Sequence, residues 1–204
     1  MSPPAPSQLE AIRNVKRLRR ILEATKVLNS TIDLAELTGI ILKIVREEMH
    51  IDRATVYVVD RERRQIRSIV AQGVDGHEIL LALGSGIAGS VAMTGETIDL
   101  PDAYADSRFN PTIDATLQYQ TRDIFCTPIG NREGQTVGII ELLNREAPFR
   151  QDDLEFLQSV SVHIGLALEN AWLHRQLLEK RKMEQELILA RDIQQNLCPG
   201  LPAS

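Results

Sequence analysis

The chain has 204 residues, of which 43% are apolar, so it is long enough for one well-packed domain with extensions. Aromatic residues make up only 4%, so we expect a core of Ile, Leu, Val and Ala side chains. The formal net charge of −5 is mild and both signs are interspersed, which argues against a nucleic-acid partner. The sequence lacks a signal-peptide pattern and any run of about 18 apolar residues. These features predict a cytoplasmic protein without a membrane span.

Two helices are predicted before the first strand. Residues 1–28 form an amphipathic N-terminal helix, in which five residues at coiled-coil spacing share one face: Ala11, Val15, Leu18, Leu22 and Thr25. The basic opposite face suits a solvated surface or, less often, an acidic membrane surface. The second helix is expected to begin at Asp33, an N-cap residue followed three positions later by Glu36.

The middle of the chain alternates between strand patterns and polar turns. ATVYVVD (54–60) and QIRSIVAQ (65–72) are joined by a turn, and both faces of the first strand are largely apolar. We therefore expect that strand in the centre of a sheet that is covered on both sides. A second hairpin joins DIFCTPIG to QTVGIIELLN across a turn at 131–134. Strands connected by short turns, with helices before, between and after them, predict an α+β fold with a mainly antiparallel sheet.

Residues 151–196 contain no proline and are predicted to form one long helix. Its apolar residues follow two heptad seams in tandem, Ile164, Leu168, Ala171 and Leu178 for the first and Met183, Leu187, Ala190 and Leu197 for the second. The step from Leu178 to Met183 is five residues, and such a skip changes supercoiling locally. We expect the first half to pack on the domain or a partner. Residues 173–198 then form a coiled-coil signalling helix, and the N- and C-terminal helices together build a parallel homodimer.

Three glycines, Gly84, Gly86 and Gly89, form a literal G-x-G-x-x-G. A dinucleotide-binding fold needs a parallel βαβ unit. Here the predicted helix after the glycines is short, and the next strand, ETIDL, follows too closely for such a crossover. The glycines are therefore not a dinucleotide fingerprint. Gly89 is expected to let the short helix approach the sheet, and the amides of Ile87 and Ala88 are a candidate anion site.

The order GIAG, VAMTGE, IDLPDAYADSRF and GIIELLN, closed by F-x-x-x-D, resembles the GAF domain family of small-molecule sensors. The resemblance covers about residues 25–172, and we assign residues 29–172 to the sensor domain. It implies a six-stranded antiparallel sheet whose helices on one side form a dimer bundle. It also implies a ligand pocket on the other side, under short helices at 86–94 and 112–120.

GAF domains that bind cyclic nucleotides carry an Asn-Lys, a Phe and an Asp-Glu pair. This chain has Asn144, Arg145, Phe149 and Asp153, with Leu154 in place of the Glu. We expect Arg145 to pair with Asp153 and to brace the pocket wall from outside. Because one motif position is lost, a cyclic nucleotide is not the favoured ligand, and the ligand stays unknown.

Seven residues are candidate ligand contacts because they are polar groups, or amides, next to apolar walls. They are Ile87, Ala88, Asp102, Tyr119, Asp123, Thr127 and Glu141. Glu141 lies inside an apolar strand, where a carboxylate needs a partner unless it sits at a sheet edge in water. Asp102 is expected to stabilise its own loop by local hydrogen bonds more than to contact a ligand.

Metal, haem and bilin binding are not expected from this sequence. The four histidines are scattered, the cysteines Cys126 and Cys198 lack zinc spacing, and Cys126 is followed by Thr127 instead of the His usual at bilin sites. Cys126 is most simply a small buried apolar residue. No nucleophile–base pair presents itself, so we predict that this chain is not itself an enzyme.

The last segment contains the pattern A-R-x-I-Q-x-x-L-x-P, which runs from Ala190 to Pro199. It resembles the linker helix that leads into SpoIIE-type phosphatases, metal-dependent Ser/Thr protein phosphatases of the PPM class. Residues 199–204 would then begin the linker to an output domain that this chain lacks. The favoured hypothesis is a bacterial GAF sensor that controls such a phosphatase through the long helix. The alternatives are a ligand-free dimerisation scaffold and the input domain of another signalling enzyme, such as a histidine kinase.

Overall fold

The structure, a computed structural model, describes residues 34–71 and 78–197. The predicted N-terminal helix (1–28), the proposed N-cap Asp33, Cys198 and the predicted linker (199–204) lie outside these residues. The strands are β1 Ile51–Asp60, β2 Gln65–Ala71, β3 Leu80–Ala82, β4 Ile98–Leu100, β5 Ile124–Gly130 and β6 Thr136–Arg145. The helices are α1 Leu34–Met49, α2 Gly86–Thr94, α3 Pro111–Leu117 and α4 Gln151–Leu197, with a one-turn 3-10 helix at Ala103–Ala105.

The six strands form one sheet in the order β3-β2-β1-β6-β5-β4, and every neighbouring pair is antiparallel. The predicted α+β fold with a six-stranded antiparallel sheet is confirmed. β1 and β6 are the two central strands, as the apolar character of both faces of β1 predicts. A left-handed residue lies in each hairpin turn, Arg64 between β1 and β2 and Gly134 between β5 and β6.

Alternating residues of the central strands pack into two separate hydrophobic cores, one on each face of the sheet. On one face, Ala54 and Val56 of β1 pack under α1 and the first part of α4, in a cluster that we call the helix-side core. On the other face, Tyr57 and Ile139 pack under α2, in a cluster that we call the cavity-side core. The predicted division, with long helices on one side and the short helix on the other, is therefore present.

The glycine-rich segment brings α2 close to β3 and is not a dinucleotide fingerprint. A Cβ atom on Gly89 would lie 2.6 Å from the carbonyl oxygen of Ala82, so only glycine permits this approach. Gly84 and Gly86 adopt positive φ angles of 84° and 67°, which glycine reaches without strain. The helix is nine residues long and ends at Gly95 in the left-handed conformation, and no strand of the sheet is parallel to its neighbour.

The described chain separates into two compact units, with the division in α4 between Leu168 and Glu169. In the first unit, Ile164 and Leu168 are buried in the helix-side core, so this part of the first seam packs on its own domain. In the second unit, Leu178, Met183 and Leu187 are exposed in the isolated chain. Nothing in the described part of the chain is long and apolar enough to serve as a membrane-crossing helix.

Candidate functional site

A cavity lies on the α2 face of the sheet, between the central strands, α2 and the segment from Phe109 to Thr121. Its volume is about 820 Å³ when the solvent-filled mouth is included. Apolar side chains provide most of its wall, and these are Ile79, Leu81, Ile87, Ala88, Phe109, Ile113, Ile124 and Leu143. The polar lining consists of Arg53, Thr55, Tyr57, Ser85, Asn110, Asp114, Tyr119, Thr121 and Glu141.

The floor of the cavity comes from the alternation of β1 and β6. Arg53, Thr55 and Tyr57 project from the same face of β1, because successive side chains of a strand alternate. Across the ladder, Thr55 is paired with Glu141 and Arg53 with Leu143. This register places a cation, a hydroxyl, a phenol and a carboxyl group in one patch of sheet.

Glu141 is the carboxyl group of this floor, and within the described part of the chain it accepts a single side-chain hydrogen bond. It lies on central strand β6 and not at a sheet edge, and its Oε2 accepts a hydrogen bond from Tyr57 Oη at 3.0 Å. Burial raises the pKa of Glu141 to about 7, against an opposing effect of the Tyr57 hydrogen bond. Burial, followed by the nearby Glu141 charge, also raises the pKa of Tyr57 well above its ordinary value.

The N-terminus of α2 forms one wall. The N-cap residue Ser85 makes no side-chain capping bond, so the first amides of this helix lack the usual intramolecular acceptor. Ser85, Gly86, Ile87 and Ala88 all line the cavity. The predicted pair Ile87 and Ala88 therefore lies where unpaired N–H groups and the helix dipole favour an anionic ligand group.

Tyr119 closes the opposite side of the cavity through contacts with β1. The guanidinium carbon of Arg53 lies 3.6 Å from the centre of the Tyr119 ring. Tyr119 Oη donates to Asp52 at 2.9 Å and accepts from the Asn144 amide at 2.8 Å. Burial and the Asp52 hydrogen bond raise the pKa of this phenol, which stays neutral at physiological pH. Among the described residues, Arg53 has no carboxylate within ion-pair distance, so its charge is available to a ligand.

The segment around α3 is held by a buried carboxylate. Asp114 accepts from Thr121 N at 2.7 Å, from Thr121 Oγ1 at 2.8 Å and from Tyr104 Oη at 3.0 Å. Asn110 caps α3 by accepting from Thr112 N at 3.0 Å. These bonds satisfy the Asp114 carboxylate internally, so Asp114 positions this wall of the cavity.

Three predicted ligand residues lie outside the cavity lining. Asp102 caps the 3-10 helix by accepting from Tyr104 N, which agrees with its expected role in tying the loop. Asp123 forms an ion pair with Arg145, 2.9 Å from its Nε. Thr127 bonds the Thr97 hydroxyl at 2.9 Å and falls on the other face of β5, because residues of a strand alternate and Cys126 faces the cavity-side core.

The Asn-Arg-Phe-Asp motif braces the site from outside, but with different pairs from those predicted. Arg145 pairs with Asp99 and Asp123 instead of Asp153, and its guanidinium lies 5.1 Å from the centre of the Phe149 ring. Asp153 accepts from Arg150 N at 3.0 Å at the start of α4. The ion pairs of Arg145 thus tie β6 to β4 and to the residue that precedes β5.

Leu154, which departs from the cyclic-nucleotide motif, is 37% exposed in the first turn of α4 and does not line the cavity. Its substitution therefore removes no contact from the site. Sequence reasoning missed Arg53 and Tyr57, although the alternation of β1 placed Tyr57 on the same face as Thr55. It also missed Asp114, whose partner Thr121 becomes adjacent only when the α3 segment folds back.

Comparison with known proteins agrees with this architecture. The GAF domain family model matches residues 33–168. The chain therefore belongs to the GAF domain family, whose members act as sensor and regulatory domains.

The curated relatives are much longer proteins. The chain is 32% identical over 167 residues to dual 3',5'-cyclic-AMP and -GMP phosphodiesterase 11A of Takifugu rubripes, covering 74% of the chain and 18% of the relative. It is 30% identical over 177 residues to a probable 3',5'-cyclic phosphodiesterase, pde-5, of Caenorhabditis elegans, covering 79% of the chain and 24% of the relative. The chain spans less than a quarter of either relative's length.

Solved structures share the fold at lower identity. The GAF domain of a phosphoenolpyruvate-protein phosphotransferase from Coxiella burnetii superposes with a TM-score of 0.67 at 18% identity, covering 78% of this chain and 96% of that one. A free methionine-R-sulfoxide reductase from Neisseria meningitidis, solved with its substrate, superposes with a TM-score of 0.60 at 15% identity, covering 83% of this chain and 93% of that one. These likenesses establish the fold alone, because one fold supports different functions.

Proposed function

We propose that this GAF domain is a regulatory sensor whose cavity binds a small organic anion that also carries N–H donors. The observation that carries the proposal is that one cavity is lined both by groups that favour an anion and by a carboxyl group that favours a hydrogen-bond donor. The α2 amides and Arg53 favour an anionic or acceptor group, whereas Glu141 favours a donor. The apolar walls between them suit a ring system.

A 3',5'-cyclic nucleotide is the leading candidate within this class, because it joins a donor-bearing base to a single negative charge. The names of the curated relatives contain cyclic nucleotides as substrates of those proteins, which supports this choice for the test. Leu154 does not argue against it, since that side chain lies away from the cavity.

Isothermal titration calorimetry of the chain with cyclic GMP and cyclic AMP tests the proposal. We expect saturable binding of at least one nucleotide to one site per chain. Arg53→Gln should weaken it about tenfold or more, because a charge-assisted bond contributes about 1.5 to 3 kcal/mol. Asp102→Asn, outside the cavity lining, is the matched control. Equal losses in both variants, or no binding by the wild type, would contradict the proposal.

For the output, we propose that the long helix passes the ligand state to a C-terminal PPM-class phosphatase domain. The pattern from Ala190 to Pro199 supports this domain, whereas the curated relatives suggest a phosphodiesterase. Both activities should be assayed in the native protein that contains this chain. Phosphatase activity that requires Mn²⁺ or Mg²⁺ supports the proposal, and phosphodiesterase activity alone rejects it.

A ligand-free dimerisation scaffold is the second candidate, favoured by the exposed apolar side chains of Leu178, Met183 and Leu187. In the sensor proposal, the one-residue skip between Leu178 and Met183 is where the helices change register. Single-cysteine variants along 178–197, crosslinked with and without nucleotide, distinguish the two. Ligand-dependent crosslinking supports the switch, and an identical pattern supports the scaffold.

A further inference from the structure

Glu141 is a carboxyl group that its own protein leaves largely uncompensated. Its cross-strand partners on the two neighbouring strands are Thr55 and Cys126, neither of which carries a positive charge. A carboxylate can accept about four hydrogen bonds, but in the described structure this one accepts a single side-chain bond, from Tyr57 at 3.0 Å. The carboxyl group nevertheless lines a cavity that is open to solvent at its mouth. A proton and a ligand therefore have access to the same oxygens.

The titratable groups of the neighbouring strands favour the neutral form of Glu141. On β1, Tyr57 is a neutral donor whose own pKa is raised by burial. On β5, burial and the Glu141 charge raise the pKa of the Cys126 thiol, which stays protonated. Arg53 is the one cation on the cavity face of β1, but no ion pair joins it to Glu141 in the described structure, and its guanidinium stacks on Tyr119.

The helical walls of the cavity do not supply a counter-charge either. The sequence of α2, GIAGSVAMT, contains no titratable side chain. In the α3 segment, Asp114 is an anion that is already bound by Thr121 and Tyr104. In the part of the chain that the structure describes, two charged groups therefore line the cavity near Glu141. One is the Arg53 cation, which stacks on the Tyr119 ring, and the other is the Asp114 anion.

We propose that Glu141 makes this cavity a proton-linked site, in which a ligand that presents an N–H donor to the carboxyl group displaces its proton into solvent. This inference rests on the proposed ligand-binding function and adds a regulation to it. In the step, the O–H bond of the Glu141 carboxylic acid breaks, the proton passes to water or buffer, and an N–H···O⁻ hydrogen bond to the ligand forms. No covalent bond of the ligand changes.

The direction of the coupling follows from the environment. Burial raises the pKa of Glu141 to about 7, so the empty cavity holds a mixture of both protonation states near neutral pH. A donor binds the carboxylate and favours its formation, because charge-assisted hydrogen bonds are stronger than neutral ones. Lowering the pH through the neutral range should therefore weaken binding, by up to about tenfold per pH unit.

Two measurements test the proposal on the intact chain. The first follows the side-chain carboxyl carbon of Glu141 by ¹³C NMR during a pH titration without ligand, assigned by its loss in Glu141→Gln. We expect a midpoint near 7. The second is calorimetry with cyclic GMP and cyclic AMP in phosphate and in Tris buffer, whose different ionisation enthalpies report proton exchange. At neutral pH we expect release of about half a proton per nucleotide bound, and no release from the Glu141→Gln variant.

Tyr57→Phe separates proton linkage from a structural role. Removing the phenol takes away a donor that stabilises the carboxylate, so the midpoint of the Glu141 titration and the pH profile of binding should both move to higher pH. A change that only loosened the cavity would weaken binding equally at every pH. Identical pH profiles for the wild type and Tyr57→Phe would overturn the proposal.

The remaining outcomes distinguish this proposal from the ligand assignment. Binding without proton exchange overturns the linkage and leaves the sensor function standing. A Glu141 midpoint near its ordinary value overturns the linkage whatever the nucleotides do. If neither nucleotide binds while Glu141 titrates near 7, the proposed ligand class fails, and the linkage of nucleotide binding to proton release fails with it.

Discussion

The side-chain amide of Asn144 donates a hydrogen bond to Tyr119 Oη at 2.8 Å and thereby fixes the residue that closes the cavity. The same side chain donates to the carbonyl oxygen of Gln120 at 2.8 Å and accepts from Arg122 N at 2.6 Å. Asn144 itself has a positive φ of 57°, a conformation that asparagine tolerates better than most residues. One buried residue at the end of β6 thus holds the whole segment between α3 and β5.

Replacing Asn144 with alanine should therefore destabilise the domain strongly. We expect a loss of about 3 kcal/mol in the free energy of unfolding, since two partly buried hydrogen bonds to backbone groups are lost and the left-handed backbone becomes strained. Urea denaturation followed by circular dichroism measures this loss. Asn144→Gly is the matched control, because it removes the bonds without the strain and should recover about 1 kcal/mol. A loss below 1 kcal/mol in the alanine variant would contradict this role.

The sequence predicted what depends on local pattern and missed what depends on register. The apolar faces of β1 and the short helix after Gly89 follow from spacing along the chain, and both are present. The neighbours of Glu141 depend on which residues of β1 and β5 lie opposite it, and spacing does not determine that alignment. Arg145 pairs with Asp99 because the ladder brings edge strand β4 beside β5, a contact across 46 residues. Thr127 adjoins the cavity in sequence but lies on the opposite face of β5 from Cys126.

The close contact between α4 and the end of β5 should make Gly165 intolerant of any side chain. A Cβ atom there would lie 2.5 Å from the carbonyl oxygen of Gly130, a backbone atom that cannot move aside independently. We expect Gly165→Ala to destabilise the domain by about 2 kcal/mol or more, as overpacking does. Gly39→Ala is the control in α1, where nothing lies within 4 Å of the added atom. Helix propensity predicts that this control is stabilised by about 0.5 to 1 kcal/mol in thermal or urea unfolding. Equal effects at both positions would contradict the close packing.

The raised pKa of Glu141 should make stability fall as the pH rises. The folded state holds the proton up to about pH 7, whereas the unfolded chain releases it near 4.5, so the stabilising contribution is complete below 4.5 and is lost as the pH rises through 7. That difference corresponds to about 3 kcal/mol, and water in the cavity reduces it. Glu141→Gln should therefore be more stable than the wild type by about 2 kcal/mol at pH 8 and nearly equal at pH 4.5. Urea midpoints at both pH values decide this, and a constant difference between the proteins would rule it out.

The exposed apolar residues of the second part of α4 should mediate self-association. Leu178, Met183 and Leu187 are 52%, 65% and 67% exposed in the single chain, an exposure that a parallel coiled coil would remove. We expect sedimentation equilibrium to show a dimer that Leu178→Asp weakens at least a hundredfold, because a charge in the seam must be desolvated. Gln176→Asp introduces the same carboxylate at another exposed helix position and should leave the dimer intact. The residues that form the domain end before this segment, so thermal unfolding of the sheet should be similar in both variants. Dimers of equal strength in the two variants would place the interface elsewhere.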